Sequence, residues 1–441
     1  MRLAFLLFVA AGLAWTQTAA MRLGLKEAVD LALAPEGNTR ARLAAEMVRQ
    51  AEARSAQARA ALLPNADASL VDQSQTRNLA AFGIRIQLPI PSFQFPELVG
   101  PFSTLDLRAS ATQSVFDIGA IRRYQASRAA TAASRAENEA ARNQVTDAVA
   151  RAYLAALRGR AAMDAGKANV EVAESLLKLV RSQKAAGTGT GIEVTRAEVQ
   201  LANERQRLLV TRNEVARADL QLLKLVGLAL ETKLELTDKL GYVPSDPVTV
   251  EAARELARRS RPELKAQQER EESARLGFSA AKMERLPTLA AFGDYGSIGT
   301  GAGRLLPTRS YGIALRVPLF DGGRRDGRRA EAASALRQER IRTRALEAQV
   351  ELEVRLALDA LESSDGQVKT AAEGLRLSEN ELAQARRRYQ AGVTTSLEVT
   401  DAQARLERAR ENQVAALAGY NAAQIDLNTA LGRNQEFSSG R

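Results

Sequence analysis

The stretch Tyr389-Gln-Ala-Gly-Val-Thr-Thr-Ser-Leu-Glu-Val-Thr-Asp401 repeats an earlier one, Gln183-Lys-Ala-Ala-Gly-Thr-Gly-Thr-Gly-Ile-Glu-Val-Thr195. Gly187 aligns with Gly392, Thr190 with Thr395, Glu193 with Glu398, Val194 with Val399 and Thr195 with Thr400, all at one spacing of 205 positions. Each copy is a turn between two long helical runs. A repeat of this length is one architectural unit used twice, so the chain reads as a duplicated helical hairpin joined to something else.

The helices leaving each turn carry a seven-residue period: Val194, Leu201, Leu208, Val215 and Leu222 in the first copy, Ala402, Ala409, Ala416, Ala423 and Ala430 in the second. Sustained sevens give coiled-coil packing, and alanines permit close approach of neighbouring helices. These returning helices end at Gly227 and Gly432, where a glycine stop is expected. The arms entering the turns run from about Ile121 to Ala186 and from about Arg324 to Ala391. Fully helical, each would reach roughly 100 Å, which demands partners along its length. Gly159 and Gly366, at similar levels, are candidate interruptions of the two arms.

Further out the helical period gives way to alternation. Leu63-Pro64 and Leu286-Pro287 each close a helical passage, because proline cannot continue a helix and biases its predecessor towards extended geometry. The first of these passages has a break at Pro35-Glu-Gly37. Leu105, Leu107, Ala109 and Ala111 then alternate with Asp106, Arg108, Ser110 and Thr112, and Tyr311, Ile313, Leu315 and Val317 alternate with Ser310, Gly312, Ala314 and Arg316. Both runs close alike, as Val115-Phe-Asp-Ile-Gly119 and Leu319-Phe-Asp-Gly-Gly323. Such strands have one apolar face, which suits either a lipid-facing barrel wall or a small soluble sheet packed on helices. The first hairpin is longer, with its surplus around the loop 84–96.

The composition narrows the function. The 441 residues include no Cys and no His, and aromatics make up 4%. Thiolate and imidazole chemistry is therefore absent, which removes the common nucleophile–base pairs and most transition-metal sites and argues against an enzyme. The net charge of +10 does not form a nucleic-acid footprint, because arginines interleave with glutamates, as in Arg405, Glu407, Arg408, Arg410 and Glu411. Residues 1–20 read as a secretory signal peptide: Met1-Arg2, an apolar run from Leu3 to Leu13, then small residues, with a true start at Met21 as the alternative. Beyond it no run approaches the roughly 20 apolar residues of a spanning helix, so a membrane would have to be crossed by strands. Four strands cannot close a barrel, and open edges are not tolerated in lipid; three copies would supply twelve.

The ordered set of Leu-Pro strand starts, Phe-Asp-x-Gly strand ends, Arg261-Pro-Glu-Leu264 and the two Gly-x-x-x-x-[Ile/Leu]-Glu-Val-Thr turns resembles the TolC family of bacterial outer-membrane efflux proteins across essentially the whole mature chain. The resemblance implies a mainly α fold with β. Duplicated helical hairpins would form a long periplasmic α-barrel, and four strands per chain would contribute to a trimeric 12-stranded transmembrane β-barrel. It implies a passive exit duct of a drug-efflux pump or type I secretion system. The partners implied are two further copies, a periplasmic adaptor, an inner-membrane transporter acting through it and outer-membrane lipid, with no cofactor and no nucleic acid. The expected organisation is a first repeat at 21–228 (strand hairpin about 64–118, tip about 187–195), a linker at 229–250, a second repeat at 251–432 (strand hairpin about 287–321, tip about 392–400) and a tail at 433–441. A coiled-coil scaffold without a pore explains the helices but not the paired strand hairpins. A metal-export duct is a subtype for which this chain shows no ligand cluster.

Carried over by position, the resemblance puts an acidic ring of the periplasmic entrance at Glu398 and Asp401, with Glu193 at the same level. Glu193 and Glu398 also suit the first turn of a helix, where a carboxylate is favourable. Tyr389 matches the family's entrance-latch tyrosine. Thr394 stands where a latch arginine is found in the best-known member, which leaves Arg196 as the candidate cation. The adaptor-facing tips are expected at Gly187, Thr190 and Gly191 and at Gly392, Thr395 and Ser396.

Overall fold

The computed structural model describes residues 20–83 and 96–433; the signal-peptide assignment, most of the long-loop reading and the tail beyond 433 lie outside them. The helical passage at the start divides at the Pro35 break into α1 (Leu25–Leu33) and α2 (Thr39–Ala60). Strands β2 (Asn65–Asn78) and β3 (Leu98–Phe116) follow, then the arm α3 (Ile118–Ala185) and the returning helix α4 (Gly191–Val226). The second copy repeats the order as α5 (Val250–Ser260), α6 (Pro262–Met283), β5 (Thr288–Gly299), β6 (Leu305–Arg316), α7 (Arg324–Gln390) and α8 (Ser396–Ala430).

Neither arm is interrupted at its glycine: α3 runs for 68 residues through Gly159 and α7 for 67 through Gly366. Gly159 answers to packing, since a Cβ there would meet Val215 Cγ2 of α4 at 3.2 Å. At Gly366 nothing lies within 4 Å of an added Cβ, so the position simply tolerates glycine.

The contacts divide the chain into two compact units. One comprises Glu46–Ala136 and Leu264–Ala345. Its four-stranded antiparallel sheet has the order β2-β3-β5-β6, which leaves β2 and β6 as edges. The register puts Leu70 beside Leu107, Ala109 beside Tyr295, Gly293 beside Tyr311, Ala291 beside Ile313 and Leu289 beside Leu315, all on one face. That face is apolar and exposed, with Tyr311, Ile313 and Leu315 at 82%, 71% and 65%. The other face carries Asp67, Asp106, Arg108 and Asp294. Arg108 donates to Asp294, Asp106 and Thr308, and Ser110 donates to Asp67 at 2.8 Å. The two Phe-Asp signatures start the arms: Asp117 accepts from the Ala120 N–H at 2.8 Å and Asp321 from the Arg325 N–H at 3.1 Å. The helices below the strands pair through polar contacts: Thr131 donates to the Ala51 carbonyl, Ser273 to the Ala126 carbonyl and Thr343 to Glu271.

The other unit comprises, among the described residues, 20–45, Glu137–Glu263 and 346–433. Its coiled-coil seam follows the sevens: Leu201, Leu208 and Leu222 are buried, as are all five alanines of the α8 series. A two-stranded parallel sheet, β1 (Met21–Leu23) with β4 (Leu234–Leu236), is invisible to local pattern because each strand has three residues. It is anchored by Tyr153, whose hydroxyl donates to Asp238 at 2.6 Å and faces the Leu23 carbonyl at 3.1 Å. Burial, then the Asp238 charge, pushes that phenol up. The linker is fastened to the second hairpin by Tyr242, donating to Asp365 at 2.5 Å, and by Tyr420, which accepts from the Ser245 N–H and donates to the Val243 carbonyl.

Candidate functional site

Both hairpin turns are built alike. Gly187 (φ 79°) and Gly392 (φ 71°) take the left-handed conformation that a side chain disfavours, which ends the arm and reverses the chain. The Thr188 N–H bonds back to the Gln183 carbonyl and the Val393 N–H to the Arg388 carbonyl, both at 3.0 Å. Thr190 and Thr395 are the N-caps of the returning helices, so Glu193 and Glu398 fall at the third helical position of each.

The two equivalent glutamates are then used differently. Glu193 closes a capping box: the Thr190 N–H donates to its carboxylate at 2.9 Å and the Thr190 hydroxyl at 3.0 Å. These bonds, the backbone one foremost, hold the Glu193 carboxyl below its usual range against the opposing effect of burial, with smaller help from the Ser396 hydroxyl and N–H. Glu193 thus caps its own helix, and Ser396, the first residue of the second returning helix, is buried at 5% exposure. Glu398 accepts from the Thr394 hydroxyl and pairs with Arg388 at 3.5 Å. Thr394, standing at the latch-arginine position, is a helper of Glu398.

Asp401 and Arg196 are both exposed, and neither forms an ion pair within the chain among the described residues. Of the three candidate ring carboxylates, Asp401 is the one left without a partner here. Tyr389 is 5% exposed and packs with Leu176 and Val180 of α3 and with Val399, Ala402 and Leu406 of α8. Its hydroxyl is buried without a hydrogen-bond partner. Burial, and after it the Glu193 charge, raises that phenol. Gly187, Thr190, Gly191, Gly392 and Thr395 are exposed at the turns, beside exposed Ile192, Val393 and Leu397.

A polar layer further along the hairpins escaped the sequence reading. Glu204 of α4 and Glu407 of α8 are 3% and 9% exposed and share Arg207, which lies 3.5 Å from Glu204 and contacts Glu407 directly. Around them Arg410 donates to Asn169 at 2.7 Å, and Arg386 and Gln403 both donate to the Val172 carbonyl. Burial, then the charge of Arg410, lowers the Arg386 guanidinium. The signal was present: Glu204 lies three residues after the seam residue Leu201, on the packed side of α4.

The outer membrane efflux protein family model matches residues 36–228 and 253–433. This chain belongs to that family. The outer membrane efflux protein is 27% identical over 401 residues to the pyoverdine export outer membrane protein OpmQ of Pseudomonas putida, covering 90% of this chain and 83% of the relative. It is 26% identical over 317 residues to the alkaline protease secretion protein AprF of Pseudomonas aeruginosa, covering 68% and 63%. Among solved structures, the outer-membrane channel OprN matches with a TM-score of 0.80 at 18% identity, over 92% of this chain and 89% of that one. VceC of Vibrio cholerae matches with a TM-score of 0.79 at 20% identity, over 92% and 96%. The fold is therefore that of these channels, and the efflux protein resides in the outer membrane as an exit duct.

Proposed function

We propose that three copies of this chain assemble into one continuous duct, gated at the hairpin turns and docked there by a periplasmic adaptor that couples it to an inner-membrane transporter. The carrying observation is the sheet: four strands, an exposed apolar face and two unpaired edges, β2 and β6. Unpaired backbone cannot face lipid, so β6 of each copy must pair with β2 of the next, and three copies give twelve strands. The helical arms of the three copies then line the periplasmic part, with the turns at its entrance.

At that entrance Asp401 repeats by threefold symmetry, and a ring of exposed carboxylates attracts cations and sets conductance. Glu398 joins the ring in part, its charge shared with Arg388. Glu193 acts mainly as the cap of its own helix, and Tyr389 as the packed wedge behind it. Arg196 is free to meet a carboxylate of a neighbouring copy. The exposed small residues Gly187, Thr190, Gly191, Gly392 and Thr395, flanked by Ile192 and Val393, form the adaptor's seat, while Ser396 supports it from beneath. The relatives named for pyoverdine export and for protease secretion suit a duct that is passive towards its cargo.

The test is purification from detergent-solubilised outer membranes, mass determination and single-channel recording in a planar bilayer. A trimeric mass with small cation-selective steps that lose selectivity in Asp401→Asn supports the reading. A monomeric protein without conductance overturns it and leaves the coiled-coil scaffold.

A further inference from the structure

Where β6 gives way to α7, exposed apolar side chains continue past the last paired residue. Tyr311, Ile313 and Leu315 alternate along β6, which ends at Arg316, and the irregular segment after it carries Leu319 at 92% exposure and Phe320 at 90%. No other part of the described chain places so bare an apolar pair next to so many cations. Within nine residues of Phe320 stand Arg324, Arg325, Arg328 and Arg329, and the turn after α6 adds Arg285.

Three of these five guanidiniums are neutralised locally. Arg325 pairs with Asp321 at 3.5 Å, Arg328 with Glu284 at 2.7 Å and Arg285 with Asp326. Arg324 and Arg329 are exposed and form no ion pair among the described residues. Glu331 leaves the helix on another face than Arg329, and it lies two turns from Arg324, roughly 10 Å along the axis and outside ion-pair reach. The equivalent junction of the first copy differs: Arg123 pairs with Asp117 at 3.4 Å and Arg122 donates to Gln125 at 2.8 Å. The first junction thus has one ion-paired arginine and one bonded to a neutral amide, whereas the second has two exposed arginines with neither kind of partner among the described residues.

We infer that the junction from Val317 to Arg329 binds the headgroup of an anionic phospholipid in the periplasmic leaflet of the outer membrane. Leu319 and Phe320 lie against its acyl chains, and Arg324 and Arg329, five residues apart on different sides of α7, supply separate charges at the level of its phosphate. This rests on the reading of the sheet as a membrane-spanning wall. Two observations select lipid as the occupant: the bare apolar pair follows directly on β6, whose exposed apolar face the proposed barrel turns to lipid, and the spare cations begin four residues after it. That is the order in which a leaflet presents acyl chain and then phosphate. Guanidinium forks suit phosphate oxygens, and a basic residue near an anionic membrane surface contributes about 1 kcal/mol, or roughly five-fold in binding.

The experiment is native mass spectrometry of the purified full-length protein, after incubation with phosphatidylglycerol or with phosphatidylcholine of the same acyl chains. The wild type is expected to retain phosphatidylglycerol preferentially. Arg324→Gln with Arg329→Gln should cut that preference by about 25-fold, from five-fold for each arginine, while Arg324→Lys with Arg329→Lys keeps most of it. Both variants change exposed residues, and their bilayer conductance, measured alongside, should equal the wild type's. A conducting trimer that holds the two lipids equally, or a Gln variant with unchanged preference, overturns this inference alone. A protein that neither trimerises nor conducts overturns it together with the channel reading beneath it.

Discussion

Replacing Arg207 by Met removes the one cation that contacts both Glu204 and Glu407 among the described residues. Glu204 is 3% exposed, and its remaining donor would be the Gln200 amide at 2.7 Å. Stripping a buried carboxylate of its cation costs about 3–5 kcal/mol. The Arg207 side chain is 56% exposed, so water already screens part of its charge and the cost falls below that range, to about 2–3 kcal/mol. The layer joins α4 of one hairpin to α8 of the other, so the loss falls on the packing of the two hairpins rather than on either helix. If the resting duct depends on that packing, the balance between closed and open states shifts towards open by about 30–150-fold. Single-channel recordings should show long, large openings in Arg207→Met that are rare in the wild type. Adding Glu407→Gln removes one of the stranded carboxylates and should restore much of the closed state, a coupling that a double-mutant cycle reads directly. Wild-type openings in Arg207→Met, or effects of the two substitutions that simply add, would refute this account of the layer.

Three further outcomes are expected. Because the Glu193 carboxyl is depressed in the folded chain, its contribution is fully present above the unfolded carboxylate range and is lost as pH falls through the folded value. The protection factor of the Thr190 amide, its exchange rate taken relative to the intrinsic rate at each pH, should therefore fall in acid for the wild type and stay low at every pH in Glu193→Ala. Gly366→Ala meets nothing within 4 Å and should stabilise α7 by about 1 kcal/mol, whereas Gly159→Ala brings a Cβ to 3.2 Å from Val215 and should gain little or lose stability; thermal unfolding of the two variants checks the contrast. Tyr153→Phe deletes the phenol that donates to Asp238 and should cost about 1–2 kcal/mol, seen as earlier proteolytic release of the N-terminal strand.

Much of the architecture was legible because it is periodic. The repeat at 205 positions, the sevens of α4 and α8, the two Leu-Pro boundaries and the alternation of β3 and β6 are local patterns, and the elements formed where the patterns stand. The arms were longer-lived than their glycines suggested, because a single glycine weakens a helix by about 1 kcal/mol and neighbouring helices offset that. Gly159 even serves the contact with Val215.

The sequence alone determined that the chain is a duplicated hairpin with paired strands, that imidazole and thiol chemistry is absent, and that Glu193 and Glu398 occupy equivalent places. Only the tertiary structure decided what those places do. Glu193 closes the cap of its own helix because Thr190 donates to it twice, and Glu398 is a paired carboxylate because Arg388, near the end of α7, reaches it across the turn. Tyr389 was buried by α3 and α8, and Glu204 met Glu407 from 203 positions away. Periodicity is a property of neighbours along the chain, whereas the fate of a charge depends on which distant groups share its low-dielectric surroundings, and no local pattern carries that information.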